Sequence, residues 1–308
     1  MRRNILWAGI TAVVLSLGLA DPVAAAFEDG LDAYRRGDYA TAMRLWRPLA
    51  DQGNADAQSR LGFLYQNGRG VPQNDAAAVS WYRKAADQGY APAQVILGFF
   101  YVQGGGDLQK DDREAARLYK LAADQSYAPA QANLGFFYME GRGGLQKDDR
   151  EAARLYRLAA DQGWAPAQAN LGFMYQNGRG GLQKDDREAT RLYRLAADQG
   201  DANGQYILGV NYRDGLGGVS KDDREAARLF KLAADQGNAP AQVNLGHFYE
   251  QGRGGLQKDD CEAARLFNLA ADQGNAEAQL MLGSMSVFSR TMYICGSTWP
   301  LGEDSERR

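Results

Sequence analysis

The sequence predicts an all-α solenoid of stacked helical hairpins, and two markers in the 308 residues carry that expectation. Ala-Asp-Gln-Gly recurs with Asp at 51, 87, 124, 161, 198, 235 and 272, at a spacing of 36 and then 37 residues; only the copy at 123–126 departs, ending in Ser126. Leu-Gly recurs in the same phase at Leu61, Leu97, Leu134, Leu171, Leu208, Leu245 and Leu282. A repeat of this length marks units too small to fold alone, each burying its apolar face against its neighbours. Composition agrees, with 45% hydrophobic and 24% charged residues, as in a structured chain. The net charge of −3 argues against a nucleic-acid partner, because binding along a phosphate backbone needs a basic face.

Taken in order, the chain opens with Arg2-Arg3, an apolar run from Ile5 to Leu19, and the small residues Val23-Ala24-Ala25-Ala26. A basic start, an apolar middle and an Ala-x-Ala site read as a secretory signal peptide over 1–26, cut after Ala26. The run is shorter than the roughly 20 residues that span a bilayer. The expected mature chain is therefore exported, periplasmic or secreted, without a membrane span. Residues 27–53 read as a short N-terminal capping hairpin, with Leu31, Ala33 and Tyr34 before Gly37-Asp38, then Ala42, Leu45, Trp46 and Leu49. The solenoid runs 54–283, with units 54–89, 90–126, 127–163, 164–200, 201–237 and 238–274 and a half unit 275–283. Residues 284–308 fit no repeat and are expected to form an irregular tail.

Unit 164–200 shows why each unit is a hairpin. Pro166 suits the first turn of a helix, where its missing N–H costs nothing. Ala167, Leu171, Met174 and Tyr175 then lie on one helical face. Gly172, a poor helix former beside that face, predicts close approach of a neighbouring helix. Gly178-Arg179-Gly180-Gly181 ends the first helix. Asp185 caps the second, with Glu188 three residues on in a capping-box pattern. Ala189, Leu192, Tyr193 and Ala196 repeat the helical spacing, and Gly200 is the left-handed stop.

These residues, Ala165-Pro166-Ala167-Gln168, Leu171-Gly172, Tyr175, then Ala189, Tyr193 and Ala196-Ala197-Asp198-Gln199-Gly200, resemble the Sel1-like repeat (SLR) family, relatives of tetratricopeptide repeats. The resemblance spans residues 54 to about 283. It implies a right-handed α/α superhelix whose members act as adaptors and assembly scaffolds for other proteins, with exported bacterial members in the cell envelope. Cysteine-rich secreted members linked to penicillin binding or β-lactamase activity carry a disulfide in each hairpin. Here only Cys261 and Cys295 are present, so that pattern is missing and the enzymatic alternative is disfavoured.

Few residues in the sequence could carry chemistry. His247 is the only histidine, which leaves no multi-histidine metal site and no triad away from it. The glycine loops lack the Gly-Lys-Ser/Thr ending of a phosphate-binding loop. Asp111-Asp112, Asp148-Asp149, Asp185-Asp186, Asp222-Asp223 and Asp259-Asp260 recur in phase at helix starts, where acids cap backbone donors, so they read as structural. Pairing of Cys261 with Cys295 stays open. No enzymatic activity, cofactor or metal is expected.

The candidate site is a second stripe on the first helix of each unit. It holds Ile96, Phe99 and Gln103; Asn133, Phe136 and Glu140; Asn170, Phe173 and Asn177; Ile207, Val210 and Asp214; and Asn244, His247 and Gln251. By the resemblance, first helices line the concave surface. Asn133, Asn170 and Asn244 offer both a donor and an acceptor to a peptide backbone, Phe99, Phe136 and Phe173 supply apolar contact, and His247 adds a titratable group. The alternative is structural, with the phenylalanines packed between neighbouring first helices and the asparagines solvated. The expected function is a protein or peptide scaffold in the envelope or exported fraction; a saccharide- or peptidoglycan-binding role is the other alternative. The in-phase glutamines, such as Gln131 and Gln168, border the core and are expected to serve hydrogen bonds between units.

Overall fold

The computed structural model describes residues 22–286, and these form fifteen α-helices and no strand among the described residues. The helices fall into two compact units, and the chain divides between them at Lys110 and Asp111. The first holds α1 (Pro22–Arg35), α2 (Tyr39–Asp51), α3 (Ala55–Gln66), α4 (Asp75–Asp87) and α5 (Ala91–Gln103). The second holds α6 (Asp112–Ala123), α7 (Ala128–Glu140), α8 (Asp149–Asp161), α9 (Ala165–Asn177), α10 (Asp186–Asp198), α11 (Ala202–Asp214), α12 (Asp223–Asp235), α13 (Ala239–Gln251), α14 (Asp260–Asp272) and α15 (Ala276–Ser286).

In the first unit, Trp46 is fully buried among Ala33, Ala42, Leu61 and Leu64. Its Nε1 donates to the Phe27 carbonyl at 3.1 Å. The ring lies so close to α1 that a Cβ on Gly30 would sit 2.2 Å from that nitrogen, so glycine is needed there. Helix α1 starts at Pro22, ahead of the cleavage point expected after Ala26.

The second unit builds its core from residues of neighbouring repeats. Tyr156 of α8, Leu171 and Met174 of α9, and Leu192 of α10 form a single buried cluster. Each hairpin closes on a glycine, as the sequence predicts: a Cβ on Gly172 would fall 2.9 Å from the Tyr193 ring, and one on Gly246 would fall 2.7 Å from the Phe267 ring. Gly178 caps α9 in the left-handed region, at φ 60°.

The second helices are capped as expected. Asp185 Oδ1 accepts from the N–H groups of Arg187 and Glu188 at 3.0 and 2.9 Å. The reciprocal half of the capping box is absent. The Asp185 N–H already donates to the Tyr175 carbonyl at 3.0 Å, so Glu188 is free to pair with Arg191, at 2.8 and 2.7 Å. Among first helices, Asn54, Asp201 and Asn238 act as side-chain caps, whereas Tyr90, Tyr127 and Trp164 do not. The glutamines behave as expected. Gln168 Nε2 donates to the Ala160 carbonyl of the preceding repeat at 3.4 Å, and its Oε1 accepts from Gln199 at 2.8 Å.

Cys261 is disulfide-bonded, and Cys295 lies outside the described residues. The tail beyond Ser286 also lies outside them. No helix among the described residues is long and apolar enough to cross a membrane.

Candidate interaction face of the first helices

The stripe of first-helix residues divides into parts with different chemistry. In the first unit, Phe99 on α5 is the most exposed of the three phenylalanines, at 51%. In the second unit, α7 and α9 carry matching pairs, Asn133 with Phe136 and Asn170 with Phe173. The two rings are 39% and 38% exposed, whereas their neighbours Phe137 and Met174 are buried. Phe136 and Phe173 are thus partly packed and partly open to solvent. Each ring has a guanidinium above it: Arg142 Cζ lies 5.9 Å from the Phe136 centroid and Arg179 Cζ 5.7 Å from that of Phe173. Asn133 and Asn170 are half-buried, and their side chains make no hydrogen bond among the described residues.

Helices α11 and α13 present a polar network instead. The Asn244 side chain donates to the Pro240 carbonyl at 2.9 Å and accepts from Arg213, so both ends of its amide are engaged. Arg213 also holds Asp214. His247 Nδ1 lies 3.2 Å from Glu250 and Nε2 lies 3.6 Å from Glu277, with the imidazole edge-on to Phe267. Asn177 Nδ2 is likewise occupied, donating to the Phe173 carbonyl of its own helix. Of the seven residues singled out from sequence, the structure thus groups Asn133, Phe136, Asn170 and Phe173 as available, places Asn244 and His247 in an internal network, and leaves Phe99 in the other unit.

Sequence reasoning missed the partner of the second aspartate in three of the five pairs. Asp112, Asp149 and Asp223 each take a bidentate guanidinium from the glycine loop of the following repeat. Arg142 meets Asp112 at 2.8 and 3.0 Å, Arg179 meets Asp149 at 2.8 and 2.9 Å, and Arg253 meets Asp223 at 2.9 and 3.1 Å. Bonding to these guanidinium groups holds the carboxyls of Asp149 and Asp223 below the usual aspartate value. The signal was present, since these arginines recur in phase with the aspartates, but it pairs residues 30 apart in different repeats. Among the described residues, no three His, Cys, Asp or Glu groups are arranged to hold a metal.

Helices, hairpin closure on glycine and a core shared between repeats define an all-α repeat protein. The Sel1 repeat profile matches seven times, over 18–54, 55–90, 91–127, 128–164, 165–201, 202–238 and 239–275, and the chain belongs to the Sel1 repeat family, whose members are generally protein-interaction scaffolds. The first match takes in the segment read above as a capping hairpin. A Sel1 repeat protein from Oxalobacter formigenes is 34% identical, superposes with a TM-score of 0.68, and is matched over 80% of this chain and 96% of its own. A protective antigen of uropathogenic Escherichia coli with an SLR fold is 36% identical, with a TM-score of 0.61 over 85% of this chain; the match spans 56% of that longer protein. No curated protein matches the sequence.

Proposed function

We propose that this protein is a non-enzymatic scaffold of the cell envelope or exported fraction that binds an extended peptide segment of another protein across α7 and α9. The observation that supports this reading most is the in-phase pairing of an unengaged amide with an exposed ring, Asn133 with Phe136 and Asn170 with Phe173. An extended peptide exposes a backbone donor and acceptor at each residue, which carboxamides match, and alternate side chains, which rings contact. In tetratricopeptide-like arrays the first helices line the concave side, where such a segment lies. Export rests on the leader-like pattern of residues 1–26.

The test is affinity capture from the source organism's exported fraction with the full chain. It runs beside one variant carrying Asn133→Ala and Asn170→Ala and a second carrying Phe136→Ala and Phe173→Ala, each matched for helical content. A partner held by the parent and lost by both variants supports the proposal. A partner held equally by all three places binding elsewhere, and capture of nothing counts against a protein partner.

A further inference from the structure

Helix α15 has one apolar face that no neighbouring helix covers. On its other side it packs on α14 through Ala278, which is fully buried with Ala263, Phe267 and Ala270. Leu280, two residues on, is 71% exposed, the most open large apolar side chain among the described residues. Its in-phase counterparts Ala132, Ala169 and Val243 are buried. Gln279 is exposed as well, whereas Gln131, Gln168, Gln205 and Gln242 are buried. Val243 shows what is due at this place, since it packs with Ala263, Phe267 and Ala270 from the second helix of its own hairpin. No such helix follows α15 among the described residues, and the outer face of a solenoid's last repeat needs a cover.

The chain that follows is brought to this face at a definite point. Cys261, in the first turn of α14, stands where Arg113, Arg150, Arg187 and Arg224 stand. Those arginines lie against the glycine loop that leaves the next first helix. A Cβ on Gly144 would fall 3.6 Å from Arg113 Nε, one on Gly181 3.6 Å from Arg150 Nε, and one on Gly255 3.7 Å from Arg224 Nε. By the same geometry, the position of Cys261 adjoins the path of the chain leaving α15. Cys261 is disulfide-bonded, and Cys295 is the one other cysteine in the sequence. It lies nine residues beyond Ser286, in phase with Lys147, Lys184, Lys221 and Lys258, which come just before second helices. Trp299, Pro300 and Leu301 then stand in phase with Glu262, Ala263 and Ala264 of α14.

We propose that Cys261 pairs with Cys295 and that this tether lays residues 296–301 over the bare face of α15, with Trp299 and Leu301 covering Leu280. The reach is sufficient. An extended chain spans about 3.3–3.6 Å per residue, so the stretch from Cys295 to Trp299 covers about 13 Å, against roughly 9 Å of helix between Ser286 and Leu280. Closing the bond takes two electrons and two protons from the two thiols and delivers them to a protein disulfide, which becomes a dithiol. Reduction frees the segment and opens an apolar end on the solenoid, so the cover holds in an oxidising compartment. That setting rests on the export reading; the pairing and the cover do not.

The test uses the full chain, oxidised and after reduction, beside Cys261→Arg, which restores the repeat's own residue, and Trp299→Ala, which keeps both cysteines. Peptide mapping by mass spectrometry under non-reducing conditions is expected to return a Cys261–Cys295 linkage within a monomer. Methyl NMR should show NOEs from Leu280 to the Trp299 ring in the oxidised parent, lost on reduction and in Cys261→Arg. Amides of α15 should exchange on the order of 100-fold faster in those two states, since a closed loop of this size is lost. Trp299→Ala should keep the linkage and still speed that exchange on the order of 10-fold, which separates the cover from the tether. A linkage between chains, or Leu280 NOEs to a second copy that grow with concentration, would assign the face to self-association and overturn the proposal. An intact linkage without Leu280–Trp299 contact, and with α15 exchange unchanged in Trp299→Ala, would overturn the cover. Capture of a partner through α7 and α9 is unaffected by either result, so the two proposals fail separately.

Discussion

At the residue scale the fold is governed by places where a side chain is forbidden. Gly172 was legible in the sequence as a close approach because glycine is costly inside a helix and recurs beside an apolar face; the structure shows the Tyr193 ring in the space a methyl group would need. Gly172→Ala should therefore destabilise by about 1–3 kcal/mol despite alanine's better helix propensity. A urea unfolding curve reads this, and Tyr193→Leu in the same chain should recover part of the loss. Ser126 is the converse case. It is the one non-glycine residue with positive φ among the described residues, at 61°, in a place where the other repeats use glycine. Ser126→Gly should raise stability by about 0.5–1 kcal/mol, since the strain relieved exceeds the entropy glycine loses. A lowered midpoint would show that the serine hydroxyl stabilises the turn by more than the strain costs. The charge partners of Asn244 and His247 were not legible, because Arg213 and Glu277 reach them from other repeats across a distance that helical periodicity does not encode.

At the element scale, local signals were read well and reciprocal ones were not. The aspartate caps follow from one residue and its own helix, and each is found where the sequence puts it. The second aspartate looks like another acid at a helix N-terminus, and only the geometry of stacked hairpins reveals that Asp112, Asp149 and Asp223 bind the next loop. Those bridges give the protein a pH dependence of known sign. Asp149 and Asp223 have lowered folded pKa values, so their contribution is fully present above the unfolded aspartate value near 3.9 and is lost as pH falls through the folded value. Tm should accordingly vary little through these groups between about pH 5 and 7 and fall more steeply below about pH 4. Arg179→Gln should lower Tm at neutral pH and flatten the acid limb, most simply measured by thermal melts in a buffer series. An acid limb identical to that of the parent would mean that the Arg179 bridge contributes nothing to folding.

At the scale of the whole array, identical repeats would give uniform stability, so the in-phase exceptions locate the weak joint of the second unit. Between α10 and the α11–α12 loop, three replacements coincide: Thr190 for alanine, Asn211 for the aromatic or methionine core residue, and Leu216 for the bridging arginine. Thr190 turns its hydroxyl back to the Asp186 carbonyl at 2.8 Å and accepts from Asn211 at 2.9 Å. Asn211, 2% exposed, is left with an unpartnered Oδ1. The joint thus exchanges a ring, a guanidinium bridge and an apolar contact for a half-satisfied polar pair, which is the costlier arrangement in a dry core. In a solenoid, where each hairpin is held only by its neighbours, such a junction is where the array opens first. Amides of α11 to α14 should therefore exchange through an opening that leaves α7 to α10 protected. The triple replacement Thr190→Ala, Asn211→Phe and Leu216→Arg should remove that difference and raise stability by about 2–4 kcal/mol. Hydrogen exchange on the parent and the variant measures both effects. Equal opening free energies on the two sides of the joint in the parent would show that stability is spread evenly and that the polar pair at Thr190 and Asn211 is no weakness.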